Sequence, residues 1–224
     1  MPESRKEREF RLREQEILDA AVTLFEEKGL DNVTVADIAK TTDIGKGTIY
    51  KHFVSKDAIM ARLSYQFSKS VLAQVNALDK SLSCERQMRE LFEVCFYAHI
   101  KMPLMSEMCS RYHQTTYCER LQEEDQQRFN EVENEYFVIL SRILGQGVEE
   151  NTIPNVSIDE LLIGAHATFI GALEMLRSKQ FSCFSESPQL SQKRFIENII
   201  NYTMTGIFGR RMDASDTVSG ESHE

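Results

Sequence analysis

The sequence predicts an all-α fold, and three observations support that prediction. Apolar residues recur at spacings of three and four along most of the chain, which is the period of an amphipathic helix. The 224 residues include only 10 Gly and 4 Pro, the residues that most often interrupt helices. Period-two alternation is confined to Val33-Thr34-Val35, which we interpret as the entry to a helix. A β-sheet architecture is therefore disfavoured.

Composition narrows the class of protein further. With 42% hydrophobic and 27% charged residues, the chain is expected to bury a core, in one large domain or in two. The uncharged segment from Leu161 to Leu173 is shorter than the roughly 20 residues that a membrane helix needs. No apolar run typical of a secretory signal follows the first residues, and the five cysteines show no C-x-x-C spacing. We expect a cytoplasmic protein with free thiols and no membrane partner.

Four helices are predicted in the amino-terminal part of the chain. They are Arg13–Lys28, a short helix entered at Thr34, Lys46–Phe53, and a long helix from Ser55 whose apolar stripe reaches Leu82. Gly29 suits the end of the first helix because glycine readily adopts the left-handed conformation. Thr34 is expected to cap the second helix, with Asp37 favouring its first turn.

Five further helices are predicted in the remainder. They are Glu85–Lys101, Leu104–Tyr112, a long helix with an apolar stripe from Leu121 to Ile143, Ser157–Ser178 and Gln189–Phe208. The segment from Gly145-Gln146-Gly147 to Pro154 is expected to end the long helix, and a Ser-rich loop through Pro188 separates the last two. The predicted domains are 1–56, a three-helix amino-terminal domain, 57–210, a helical body, and 211–224, a disordered tail.

Two short helices joined by a tight turn are typical of the helix-turn-helix, whose second helix enters the DNA major groove. Although the net charge is −9, residues 40–56 contain four lysines against one aspartate. Residues 35–57, VADIAKTTDIGKGTIYKHFVSKD, closely resemble the DNA-binding segment of the TetR (tetracycline-repressor) family of bacterial regulators. The resemblance covers Ile17 to about Ile59, and the remainder is similar in length and helix order. A helical hairpin with solvated lysines is the alternative, and it would not need this motif.

The residues that resemble the family imply a DNA-binding surface. Lys46 and Thr48 are placed to reach base edges or phosphates, and Gly47 exposes backbone near a phosphate. Further phosphate contacts are expected from Thr34, Tyr50, Lys51, His52 and Lys56. The expected core behind this surface consists of Ile38, Ala39, Ile49 and Phe53.

Two residues depart from the family pattern. Asp43 stands where Gly is common in the turn, and Gly45 stands where Ser commonly caps the recognition helix. Asp tolerates the left-handed conformation better than most residues. Gly in place of a hydroxyl cap costs only a few tenths of a kcal/mol. We therefore expect the turn to form, with the operator sequence left open.

The first basic residues permit two interpretations. Arg5, Lys6, Arg8, Arg11 and Arg13 are interleaved with Glu3, Glu7 and Glu9. They form either an ion-paired helix surface or an arm that enters the minor groove.

Reading two half-sites about 34–36 Å apart requires a homodimer on double-stranded operator DNA. The resemblance implies that the last two helices form a four-helix bundle with those of a second copy. The expected interface residues are Gly164, Thr168, Gly171, Phe195, Ile199 and Tyr202, whose small members permit close helix crossing. The alternative is that these helices pack only within their own chain.

The resemblance also implies a small-molecule pocket among the middle helices. Its expected lining is Phe92, Phe96, His99, Met105, Met108, Tyr112, Phe137 and Phe169. Such residues also fill ordinary cores. We expect a hydrophobic or aromatic effector that shifts the fourth helix and releases DNA, so that the protein acts as a repressor. His99 and Tyr112 are the expected polar contacts.

Two Cys-x-x-x-His pairs suggest a rival function. Cys95 with His99, and Cys109 with His113, each lie on one helix face, as in a metal- or thiol-redox-responsive regulator. The alternative is that the thiols are core residues and the repeat is coincidental. The sequence contains no H-E-x-x-H, no G-x-S-x-G and no phosphate-binding Gly loop, so we expect neither an enzyme nor a cofactor.

Overall fold

The computed structural model describes residues 4–112, 114–153, 157–182 and 191–209, which form helices and no strand. The all-α prediction is confirmed. The α-helices are α1 (Arg5–Lys28), α2 (Val35–Thr42), α3 (Lys46–His52), α4 (Lys56–Asn76), α5 (Cys84–Lys101), α6 (Pro103–Tyr112), α7 (Thr115–Cys118), α8 (Glu123–Glu149), α9 (Ile158–Arg177) and α10 (Gln192–Phe208). Short 3₁₀ helices span Leu30–Asn32 and Gln180–Ser182. None of the helices described is long and apolar enough to cross a membrane.

The described residues belong to two compact units. One lies within residues 1–77 and 94–136, and the other lies within residues 78–93 and 137–224. In the first unit α1 packs on α2 and α4 packs on α6. In the second unit α9 packs on α10. The middle helices α6 and α7 thus share a unit with the amino-terminal helices, and the boundaries at residues 56 and 210 remain predictions.

Helix α1 begins at Arg5 rather than at the predicted Arg13. Ser4 Oγ accepts from the Glu7 amide at 3.3 Å, and Glu7 Oε2 accepts from the Ser4 amide at 2.8 Å. This capping box starts a helix over exposed residues that lack an apolar stripe, so periodicity alone missed it. At the other end Gly29 has φ +79°, and α1 stops where it was predicted to stop.

Helix α4 ends at Asn76, so the predicted extension of its stripe to Leu82 is wrong. Asp79 Oδ1 accepts from the amide and hydroxyl of Ser81 at 2.9 and 2.7 Å. This local side-chain hydrogen bonding stabilises a turn where the helix would otherwise continue. Gln87 Nε2 then donates to the Leu82 carbonyl at 2.6 Å, which ties the connection to α5.

Helix α8 continues through both glycines and ends at Glu149, which lies within the predicted segment from Gly145 to Pro154, but the glycines themselves do not end the helix. Gly147 instead permits close packing. A Cβ on Gly147 would lie 2.5 Å from Ile153 Cδ1 and 2.7 Å from Cys84 Sγ. Leu121 precedes α8 rather than lying within it, because α7 ends at Cys118 and α8 begins at Glu123.

Replacing Gly147 by alanine is expected to lower the free energy of unfolding by about 1–3 kcal/mol, because the added methyl group overlaps two packed side chains. Gly145 is the matched control, since a Cβ there would meet nothing within 4 Å. Gly145→Ala should raise stability by about 0.5–1 kcal/mol through helix propensity. Urea unfolding, monitored by circular dichroism, measures the change in the free energy of unfolding for each of the two variants. Equal effects of both substitutions would contradict this account of the packing.

The last two predicted helices are present with shifted ends. Ser157 precedes α9 and Ser178 follows it. Ser191 Oγ accepts from the Arg194 amide at 3.2 Å, so α10 begins at Gln192. The predicted start at Gln189, the Ser-rich loop through Pro188 and the predicted disordered tail 211–224 lie outside the described residues.

Candidate nucleic-acid interface

Helices α2 and α3 pack against the predicted small core. Ile38, Ile49 and Phe53 are buried, as is Ala39 in α2. Asp43 ends α2 in the left-handed conformation, with φ 53° and ψ 28°, as predicted for the turn. Gly45 precedes α3 and supplies no side-chain cap. These features confirm the helix-turn-helix geometry that the sequence indicated.

Helix α3 presents a continuous outward surface. Lys46, Gly47, Thr48, Tyr50 and Lys51 are exposed. In this helix only Ile49 is buried, and the space beside Gly47 is open, since a Cβ there would meet nothing within 4 Å. The predicted contact residues of α3 other than His52 thus lie at the surface, next to a buried core, and they present two ammonium groups and two hydroxyl groups.

Thr34 is engaged in capping α2. Its Oγ1 accepts from the Asp37 amide at 3.2 Å, and Asp37 Oδ2 accepts from the Thr34 amide at 2.8 Å. The hydroxyl and the amide of Thr34 both donate to the Asp37 carboxylate, and these two hydrogen bonds hold the pKa of Asp37 below its ordinary value. A phosphate bound at the amino terminus of α2 would therefore contact a Thr34 side chain that Asp37 already orients. The role of Thr34 in DNA binding remains a prediction.

Two other predicted phosphate ligands make contacts inside the protein. Lys56 Nζ donates to the Leu30 carbonyl at 2.8 Å, so its ammonium already binds the turn after α1. The His52 ring lies against that of Phe10, with the centroids 4.0 Å apart and the ring planes inclined by 30°. Burial, together with Arg13, lowers the pKa of His52. Both side chains are half-buried, unlike the five exposed residues of α3.

The first turns of α1 form an ion-paired helical surface at two positions. Arg5 Nε donates to Glu9 at 2.8 Å, and Arg13 Nη1 donates to Glu16 at 3.0 Å. Residues 5–28 are helical, so this segment forms an ion-paired helix surface rather than an extended arm.

Contacts that the sequence did not reveal surround the helix-turn-helix. Arg62 of α4 pairs with Glu14 of α1, and its guanidinium lies 5.8 Å from the centroid of Phe53. Arg111 of α6 forms two hydrogen bonds with Asp31. Partners separated by 48 and 80 residues in sequence leave no local pattern, so no sequence signal could have found them.

The predicted effector-contact residues are distributed over both units. Phe96, His99, Met105, Met108 and Tyr112 belong to the first unit, and Phe92, Phe137 and Phe169 belong to the second. His99 Nδ1 lies 3.0 Å from Ser106 Oγ, and Tyr112 stacks on Phe129 with centroids 3.9 Å apart. Four members, Phe92, Phe96, Met105 and Met108, are buried, whereas Phe137 is 48% exposed. The pocket itself remains a prediction.

The predicted interface residues of α9 and α10 differ in exposure. Gly164 and Gly171 are exposed, and Thr168 and Ile199 are half-buried. Tyr202 is 71% exposed. Ile163, the apolar residue that precedes Gly164 in α9, is 69% exposed. Phe195 is buried and packs within its own chain, with its ring centroid 5.4 Å from that of Phe181.

The described cysteines do not form a metal site. Cys95, His99 and Cys109 are not gathered with other ligands, because no group of three metal-ligating side chains occurs in the ranges that the structure describes. His113 lies outside them. Burial raises the pKa of the Cys95 thiol to about 12 and that of Cys109 to about 11. Such thiols stay protonated at neutral pH, which disfavours both metal binding and oxidation.

A helix-turn-helix with an exposed recognition helix, joined to a body of longer helices, defines a class of DNA-binding regulators. The family model described as bacterial regulatory proteins, tetR family, matches residues 17–63. The match covers the helix-turn-helix and the helix segments on either side of it, and this part of the chain is similar to the TetR family of bacterial regulators.

Relatives and solved structures are similar over different parts of the chain. The icaADBC biofilm-operon negative transcriptional regulator IcaR of Staphylococcus aureus (strain Newman) is 35% identical over 83 residues, 36% of this chain and 44% of IcaR. The chain thus spans less than half the length of that relative. A TetR/AcrR-family regulator from Thermobifida fusca has a TM-score of 0.65 at 21% identity, covering 87% and 97% of the two chains. FadR from Bacillus subtilis, in complex with stearoyl-CoA, has a TM-score of 0.63 at 19% identity, covering 86% and 98%. These two structures share the fold.

Proposed function

We propose that the protein is a transcriptional repressor that binds double-stranded operator DNA as a homodimer and is released by a small hydrophobic or aromatic effector. The exposed face of α3 carries this proposal. That face combines Lys46, Thr48 and Lys51 with the open backbone at Gly47, and it lies directly over the buried Ile49. A rigid helix with donors on its outer face suits major-groove reading.

Repression is supported by the similarity to IcaR, which is a negative transcriptional regulator. The similarity covers 36% of this chain, and the direction of regulation depends on where the operator lies. If the protein binds the DNA between a promoter and its coding sequence, it should block transcription. The expression of a reporter gene fused to that promoter measures this repression directly.

Selection from a random duplex library tests the proposed DNA binding. The purified full-length protein is expected to enrich duplexes with two related half-sites whose centres lie about 34–36 Å apart, one for each recognition helix. Enrichment of single half-sites would contradict dimeric recognition. Failure to enrich any duplex would overturn the proposed function.

The dimer interface is proposed at α9 and α10 because their exposed apolar residues, Ile163 and Tyr202, would be covered there. Tyr202→Glu is expected to weaken the dimer at least about 100-fold, since the carboxylate would be buried without a partner. Sedimentation velocity measures the change. The matched control is Tyr50→Glu, the same chemical change on the exposed face of α3, which should leave the dimer intact. A dimeric Tyr202→Glu variant would place the interface elsewhere.

The proposed effector is hydrophobic because the middle helices supply buried aromatic and Met side chains, including Phe96, Met105 and Met108. The crystal structure of the FadR neighbour is a complex with stearoyl-CoA, a compound with a long hydrophobic acyl chain. Stearoyl-CoA is therefore a suitable first probe, measured by its effect on duplex affinity. Unchanged affinity at a saturating concentration would exclude this compound as the effector.

A further inference from the structure

Arg111 of α6 holds the turn between α1 and α2. Its Nη1 and Nη2 donate to Asp31 Oδ1 and Oδ2 at 2.8 and 3.0 Å. Nη2 also lies 3.4 Å from Glu107 Oε1, which anchors the guanidinium on its own helix. Paired parallel hydrogen bonds fix orientation as well as distance, which a single ammonium contact does not.

Tyr117 and Arg120 hold the start of α4. The Tyr117 side chain is 3% exposed, and its hydroxyl donates to the Asp57 carbonyl at 3.0 Å. Arg120 Nε donates to Asp57 Oδ2 at 2.8 Å, and its guanidinium lies 5.7 Å from the centroid of the Tyr117 ring. The first turn of α4 is therefore bound through both backbone and side chain.

The two contacts lie on either side of the helix-turn-helix. Asp31 precedes α2, and Asp57 follows α3. Lys56, next to Asp57, also donates to the Leu30 carbonyl beside Asp31, so the two anchor points are joined to each other. These contacts therefore link both flanks of the helix-turn-helix to the segment that carries Arg111, Tyr117 and Arg120.

We propose that Arg111, Tyr117 and Arg120 form a clamp that fixes the orientation of the helix-turn-helix and thereby sets the half-site spacing that the dimer accepts. The proposal of this α6–α7 clamp rests on the proposed function, and it identifies the residues that position the recognition helix. A displacement of α6 would act on both ends of the helix-turn-helix at once, in addition to any movement of α4.

The test uses the full-length protein and duplexes whose half-sites come from the selection described above. The spacer between half-sites is lengthened or shortened by one base pair, and the ratio of affinities for the best and altered spacings defines the spacing selectivity. Arg111→Ala is expected to reduce this selectivity at least about fivefold, the lower end of typical coupling between sites. Arg111→Lys should lie between Arg111→Ala and wild type, because it keeps the charge without the paired geometry.

Two further variants separate positioning from a general loss of stability. The charge-swapped protein carrying Asp31→Arg and Arg111→Asp is expected to be more selective than Arg111→Ala and less selective than wild type, because Arg111→Asp places a second carboxylate next to Glu107. Arg86→Ala removes an exposed arginine that pairs with Glu90 at 2.7 Å, and it should retain wild-type selectivity. Selectivity of Arg111→Ala within about twofold of wild type would overturn the clamp while leaving the proposed function standing. Absence of any duplex preference in the wild-type protein would overturn both.

Discussion

Replacing both Lys46 and Lys51 by alanine is expected to lower operator affinity at least about 100-fold while leaving the fold intact. Both side chains are exposed on α3. A good base contact is worth about 1–3 kcal/mol. Each lost phosphate contact should also reduce the slope of log affinity against log salt by about 0.9. Titration of a labelled duplex at several salt concentrations measures both quantities.

The control for this experiment removes the same charge elsewhere. Lys80 and Lys101 are also exposed, and neither lies in the helix-turn-helix. The variant carrying Lys80→Ala and Lys101→Ala should keep the wild-type salt slope and nearly the wild-type affinity. Equal losses in the two double variants would mean that net charge, rather than the face of α3, determines binding.

Replacing Ile49 by alanine is expected to destabilise the protein by about 2–5 kcal/mol, because Ile49 is fully buried beneath the recognition face. Chemical unfolding followed by circular dichroism measures the loss. The matched control is Val54→Ala, since Val54 is an exposed apolar residue just after α3. A change at Ile49 no larger than that at Val54 would show that the small core does not support α3.

Local signals in the sequence predicted the two short helices and the turn between them, and the resemblance of residues 35–57 to the TetR family indicated a helix-turn-helix. Thr34 with Asp37 marked the start of α2, and the tolerance of Asp43 for positive φ permitted the turn. The spacing of Ile49 and Phe53 predicted which face of α3 is buried. Each of these signals acts over four residues or fewer, so residue type and spacing carry the information.

Features that depend on distant residues could not be predicted in this way. Gly147 resembled a helix stop, yet it is required by the packing of Cys84 and Ile153. Lys56 is predicted to contact phosphate, and no local pattern indicated that its ammonium also donates to the Leu30 carbonyl. A charge or a glycine in sequence does not specify which partner tertiary folding brings to it. For the same reason the ion pair between Arg111 and Asp31 emerged only from the structure.

The salt dependence of duplex affinity tests the central claim most directly, namely that the exposed face of α3 binds DNA. The equilibrium Kd of the full-length protein is measured for a selected duplex and for a scrambled duplex of equal length, between about 50 and 200 mM salt. We predict a steep, linear fall of log affinity with log salt, and binding to the selected duplex at least about 1000-fold tighter than to the scrambled one. Equal affinity for the two duplexes, or affinity that does not change with salt, would contradict the account.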